Sequence, residues 1–191
     1  MTRIAMKSLL LAAVLGLGAC ATRPLIDSQT RAGTDFTAYR SYAFVEQPGT
    51  DKAGYSTILT SHFKAAVDRE MAARGYVFDA ADPDLLVNFF SNVETRSESY
   101  SVPTMRVGYY GYRGGVIAVP MYGEDVSTRN YRVGTVNIDV VDAKRKELVW
   151  EGVLEGALSR KAMRDPAGAV RTAVGQIFRQ YPVAAPAAPA Q

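Results

Sequence analysis

Apolar residues along this chain change their spacing several times, and each change predicts an element. Residues 41–45, Ser-Tyr-Ala-Phe-Val, form a short apolar run closed by Pro48-Gly49, which predicts a strand. Over residues 55–74 the spacing turns helical. Leu59, Phe63, Ala66, Val67 and Met71 fall on one face with Glu70 as the polar exception, and Gly75 stands where a helix end takes a left-handed residue. After Asp82-Pro83, residues 85–93 carry Leu85, Val87, Phe89 and Val93 on one face and Leu86 and Phe90 on the other, the pattern of a central strand.

Residues 131–141 alternate, with Val136, Ile138 and Val140 opposed to Asn137 and Asp139. A charged turn, residues 142–147, leads to a return strand over 148–159 with Leu148, Trp150, Leu154 and Leu158 on one face. Asp165 and Pro166 then open a second helix, whose stripe is Val170, Ala173, Val174, Ile177, Phe178 and Tyr181. Pro182 stops it.

Residues 99–128 break this regularity. Tyr100, Tyr109, Tyr110, Tyr112 and Tyr122 share the stretch with five glycines, which weaken any regular element, and only residues 116–119 suggest a short strand. The order of elements predicts an α+β two-layer sandwich: a mostly antiparallel sheet of about four to five strands with two helices on one face. One domain would span residues 35–182, with the Gly/Tyr-rich insertion around 99–128. Residues 20–34 read as a tether, and the Ala/Pro-rich residues 183–191 as a disordered tail.

Composition changes this picture mainly at the N-terminus. The 191 residues include 48% hydrophobic and 21% charged side chains, ordinary for a folded domain, with one cysteine and one histidine. Those two counts exclude an internal disulfide framework and the multi-histidine and cysteine zinc motifs. Residues 1–19 have the layout of an export signal: Arg3 and Lys7, an apolar run over residues 9–17, then small residues. The run is too short to span a bilayer as a helix. Met6-Lys7 reads as an alternative start. Leu17-Gly18-Ala19-Cys20 resembles the lipobox of bacterial lipoproteins, in which the cysteine thiol receives a diacylglycerol before cleavage. By analogy with Gram-negative sorting, Ala21 points to the outer membrane, with the domain on the periplasmic side. Cleavage would remove two of the 22 basic residues and none of the 19 acidic ones, so the formal charge falls from +3 to +1. The basicity belongs to export, and no nucleic-acid partner is expected.

Several pieces spread over residues 36–182 resemble a bacterial lipoprotein family catalogued as domain-of-unknown-function family 4136. They are Phe36 with Tyr39, Ser41, Tyr42 and Ala43; Arg74-Gly75-Tyr76; Asp84-Leu85-Leu86-Val87; the run from Gly134 to Asp142; and Leu148-Val149-Trp150-Glu151-Gly152. The C-terminal helix ending at Tyr181-Pro182 also fits, with Tyr where the family often has Phe. The resemblance implies an envelope lipoprotein with an insertion of variable length. It implies no activity and supplies no catalytic or binding residues.

The candidate chemistry is correspondingly narrow. His62 lies beside Phe63 without a nucleophile or orienting carboxylate in any motif, and reads as structural or surface. Glu94, Glu98, Glu124, Asp125, Asp139, Glu151 and Glu155 could form a glycosidase pair only if two met across a cleft. Lys144-Arg145-Lys146 reads as a solvated turn. The expected contact surface is Tyr100, Arg106, Tyr109, Tyr110, Tyr112, Arg113 and Tyr122, because tyrosine joins an apolar face to a hydroxyl and arginine can stack on it or meet anions. No catalytic residue, metal or cofactor is assigned. The expected partners are the membrane, through acyl chains on Cys20, and an envelope protein, glycan or lipid. The alternatives are a periplasmic hydrolase acting on cell-wall glycan or lipid, and a purely structural envelope protein.

Overall fold

The computed structural model describes residues 23–112 and 114–185. Cys20, the lipobox residues Leu17, Gly18 and Ala19, Arg113 and residues 186–191 lie outside the described residues. In chain order the elements are β1 Leu25–Thr30, a 3-10 turn Phe36–Ala38, β2 Ser41–Phe44, α1 Ile58–Ala73, β3 Val77–Phe78, β4 Leu85–Tyr112, β5 Gly115–Asp142, β6 Glu147–Ala157, α2 Arg160–Arg164 and α3 Pro166–Phe178. One six-stranded sheet runs in the order β1-β6-β5-β4-β2-β3. β2 is parallel to β3 and to β4, and the other pairs are antiparallel.

This overturns the expected two-layer sandwich of four to five mostly antiparallel strands. The fold is mostly strand, in a single mixed sheet with three short helices. Two misreadings account for the difference. Leu25–Thr30, expected within a tether, pairs with β6 along its whole length, from Leu25 opposite Glu155 to Thr30 opposite Trp150. The stretch expected as an irregular insertion continues β4 and β5 as a two-stranded ladder of 28 residues each, in unbroken register from Leu85 opposite Asp142 to Tyr112 opposite Gly115.

The helices form where the apolar periodicity placed them. Thr57 caps α1 by accepting the Thr60 amide, and Gly75 takes φ +87° just beyond its end. Phe63, Ala66, Val67 and Met71 are buried, and the Phe63 ring stacks on Phe89 at 5.0 Å. On α3, the Asp165 carboxylate accepts from Gly168 N at 2.9 Å and Pro166 begins the first turn. Val170, Val174, Ile177 and Phe178 are buried against β6 and α1. Gly152 leaves the space that Ile177 and the Trp150 indole occupy, which is how α3 comes down onto the sheet. The core therefore lies between one half of the sheet and the α1/α3 pair, with Trp150, Phe178 and Tyr181 packed ring to ring.

Candidate functional site

Beyond Val93 and Gly134 the β4–β5 ladder leaves the domain. From the rung Thr95–Arg132 to the rung Tyr112–Gly115 it has no strand on either side. At ordinary strand rise this arm reaches about 60 Å. Nearly every described side chain on it is exposed.

Its first part is polar and braced by side-chain bonds. Ser97 Oγ donates to Asn130 at 2.8 Å, Ser99 and Thr128 share a 3.0 Å hydroxyl bond, and Arg96 reaches back to Glu155 at 2.6 Å. Its outer part, residues 102–123, is apolar. Val102, Met105, Val107, Tyr109, Tyr110, Val116, Ile117, Met121 and Tyr122 are all at least half exposed or close to it.

Alternation along the two strands sorts these residues. The face continuous with Phe89 and the helices carries Met105 opposite Tyr122, Val107 opposite Pro120, Tyr109 opposite Ala118 and Gly111 opposite Val116; these four rungs carry no charge, and the next one toward the root sets Glu124 opposite Pro103. The reverse face carries Tyr100, Val102, Arg106, Tyr110, Ile117, Val119 and Met121, and there Arg106 pairs with Asp125 at 3.0 Å. The residues expected to form one contact surface are thus brought onto one arm but divided between its faces. Tyr109 and Tyr122 lie on the helix-bearing side, and Tyr100, Tyr110 and Arg106 on the other. Tyr112 stands at the last rung. The aliphatic and methionine positions between the tyrosines were missed. Their signal is a period-two pattern that becomes readable only once the fold-back point near Gly114 (φ +82°) fixes which residues face each other.

At the arm's root, on the same side as the helices, lies a cavity of about 820 Å³ lined by Leu59, Val93, Val136, Leu158, Met163 and Val170. The glycine rung Gly134–Gly156 floors it. Leu158 lies over Gly134, and Pro24, just before β1, lies over Gly156. Arg132, Lys161 and Arg171 line it, and Arg160 and Arg164 share the short helix α2 with Lys161. Among the described residues none of these five has a carboxylate within ion-pair distance.

The other candidates resolve individually. Asp139 and Glu151 sit directly opposite each other on β5 and β6, on the sheet face away from the helices, with Asn137 donating to Glu151. Burial, then the Glu151 carboxylate, pushes the Asp139 carboxyl up to about 6. The charged turn is held by its neighbours. Asp142 accepts from Lys144 N, Arg145 N and Arg145 Nε, and Tyr39 donates to it at 2.9 Å. Lys144 approaches Asp84 at 3.9 Å. His62 is partly exposed on α1. Among the described residues no group of three or more His, Cys, Asp or Glu side chains is gathered to hold a metal ion.

Residues 26–183 match the family described as Domain of unknown function (DUF4136). The chain belongs to this family. Among solved structures, this DUF4136 chain is similar to a PDZ domain protein from Parabacteroides distasonis at 18% identity and a TM-score of 0.54. That match covers 85% of this chain but only 37% of the other, so the present chain corresponds to about a third of that protein. A PelC dodecamer from Paraburkholderia phytofirmans aligns at 9% identity and a TM-score of 0.47, over 82% of this chain and 95% of that one. No curated protein matches. The first of these likenesses concerns the fold alone. Among the described residues no helix is long and apolar enough to cross a membrane, which leaves strands unaddressed.

Proposed function

We propose that this DUF4136 protein is an outer-membrane lipoprotein, anchored through acyl chains on Cys20, whose periplasmic domain is a non-enzymatic binding or envelope-maintenance module with the arm as its contact surface. The observation that carries the reading is the arm itself. A two-stranded ribbon with apolar side chains on both faces and two open edges is marginal in water without something against it. Monomeric proteins rarely leave so much apolar surface uncovered. The lipobox-like Leu17-Gly18-Ala19-Cys20 supports the anchor, since the chain's single cysteine stands where acylation needs a thiol. Two or three acyl chains, at roughly 0.8 kcal/mol per buried methylene, would hold the domain at the bilayer.

Two experiments test this. A Cys20→Ser variant should lose labelled palmitate and leave the membrane fraction; unchanged labelling and fractionation would remove the anchor. Crosslinking in intact cells should recover envelope molecules attached to the arm, and deletion of residues 104–123 should abolish their recovery. Full recovery after deletion would remove the contact surface.

A further inference from the structure

Three features of the domain meet at one end of the sheet. β1 begins at Leu25 opposite Glu155, Glu155 is opposite Thr135, and Thr135 is opposite Asn92, the rung just inside the arm's root. Strand β6 also ends there, at Ala157 opposite Val133, and passes directly into α2. The segment leading back from β1 toward Cys20 therefore leaves the sheet at the end from which the arm departs, with the basic α2 beside it. Cys20 stands five residues before Leu25, at most about 17 Å of extended chain. The arm reaches about 60 Å. An anchor on so short a lead holds the arm's root within about 17 Å of the bilayer, well inside the arm's own length.

The surface chemistry of this end matches that placement. The helix-bearing face of the arm tip carries no charge on its four rungs from Met105–Tyr122 to Gly111–Val116, with Tyr109 toward the turn, Tyr122 toward the root, and Glu124 one rung below. Tyrosine is the residue enriched where hydrocarbon meets water. Met105, Val107, Tyr109, Val116 and Tyr122 are each half or more exposed on this face, on consecutive rungs, and apolar side chains exposed side by side in this way mark an interaction surface. Arg106 and Asp125 lie on the reverse face, as they would if that face stayed in water. Beside the root, α2 supplies Arg160, Lys161 and Arg164, and Lys161 lines the cavity there with Arg132 and Arg171; among the described residues none of these five has a carboxylate within ion-pair distance. Basic side chains next to a bilayer are drawn to anionic headgroups.

We infer that the uncharged face of the arm tip, together with the basic α2, docks onto an anionic lipid surface, so that the arm lies along the bilayer interface. This rests on the anchored reading above, and it names the lipid surface as the arm's partner. A flat pose satisfies the backbone as well. The open edges of β4 and β5 remain hydrated at the headgroup level, whereas insertion of a lone hairpin into the hydrocarbon would strand them.

The test uses the full-length lipoprotein with single cysteines at Val107 or Ala118 on the proposed lipid face and at Ile117 or Val119 on the reverse face. Each carries an environment-sensitive fluorophore and is reconstituted into vesicles of phosphatidylethanolamine and phosphatidylglycerol. The first pair should be quenched several-fold more by spin-labelled lipid than by aqueous iodide, and the second pair the reverse. Replacing Arg160, Lys161 and Arg164 with Glu should reduce the lipid quenching of the first pair by at least half. Equal iodide access on both faces would overturn the proposal. Protection of the first pair without lipid quenching would also overturn it, and would assign the face to a second copy of the chain. Fluorophore appearing on Cys20 itself would report a failed anchor, separately from the behaviour of the arm.

Discussion

Arg74 lays its guanidinium over the Phe178 ring, 5.0 Å from the centroid, while donating a 2.6 Å hydrogen bond to the Phe178 carbonyl. Its other nitrogens reach Val183 O at 2.9 Å, and Glu70 O and the Glu70 carboxylate at 2.8 and 2.9 Å. The side chain is only 5% exposed, so one cation reaches carbonyls in the last turns of α1 and α3 and closes the two helices together. Removing it leaves three partly buried carbonyls and a mostly buried carboxylate without their donor. Arg74→Ala should therefore cost about 3–4 kcal/mol of unfolding free energy, and Arg74→Lys should recover less than half, since an ammonium cannot fork to both helix ends. Equilibrium denaturation of the two variants checks this. A loss under 1 kcal/mol for the alanine variant would refute it.

Gly152 sets the distance between α3 and the sheet. A methyl group there would collide with Ile177 and with the Trp150 indole, both fully buried. Gly152→Ala is expected to destabilise by about 2–3 kcal/mol through overpacking. A paired Ile177→Leu, which lacks the Cγ2 methyl that the new Cβ would meet, should return part of that loss if the contact is the cause, and a double-mutant cycle measures it.

Asp139 makes the protein's stability depend on pH with an unusual sign. Its folded carboxyl titrates at about 6, whereas in the unfolded chain it titrates near the ordinary aspartate value of about 3.9. Between about pH 4 and pH 6 the folded state therefore holds more protons, and this group's contribution to stability falls as pH rises. Asp139→Asn should abolish that decline and stabilise the protein near neutral pH by about 1 kcal/mol. Urea titrations of both proteins across the window decide it, and parallel pH profiles would count against the assignment.

The arm should be separable from the domain that carries it. Joining Glu98 to Arg129 through Asn-Gly replaces residues 99–128 with a two-residue hairpin turn at an existing rung. Because the core lies inside the root, the melting temperature should change by no more than about 4 °C, the equivalent of roughly 1 kcal/mol. Calorimetry checks this, and a large loss would mean that the arm folds back to support the core.

The parts legible in the sequence were those with one buried face. The stripe of α1 through Phe63, Val67 and Met71, the capped start of α3 at Asp165-Pro166, and the alternation around Val136, Ile138 and Val140 each follow from a single apolar side. The arm lacked that contrast. Apolar residues occupy both of its faces and glycines interrupt it, so neither period two nor period 3.6 stood out between residues 99 and 128. Strand β1 was hidden for the opposite reason. Its alternation runs through polar residues such as Asp27, Ser28 and Gln29, because it sits at a sheet edge with only Ile26 packed on the core. At the candidate site, the tyrosines were found from composition, but their division between two faces depends on a strand pairing that only the register supplies.

The edge position of β1 has a mechanical consequence. Its six residues pair antiparallel with β6, and the strand's first residue is the one nearer the N-terminus of the chain. A pull applied from that side along the strand loads all the β1–β6 hydrogen bonds in parallel, in shear, rather than opening them one after another from an end. The weakest geometry for a sheet edge, peeling, is avoided for tension that arrives along the strand axis. Forced detachment is then limited by the rate of a collective rupture, so a domain of ordinary equilibrium stability can withstand sustained tension through its N-terminal strand.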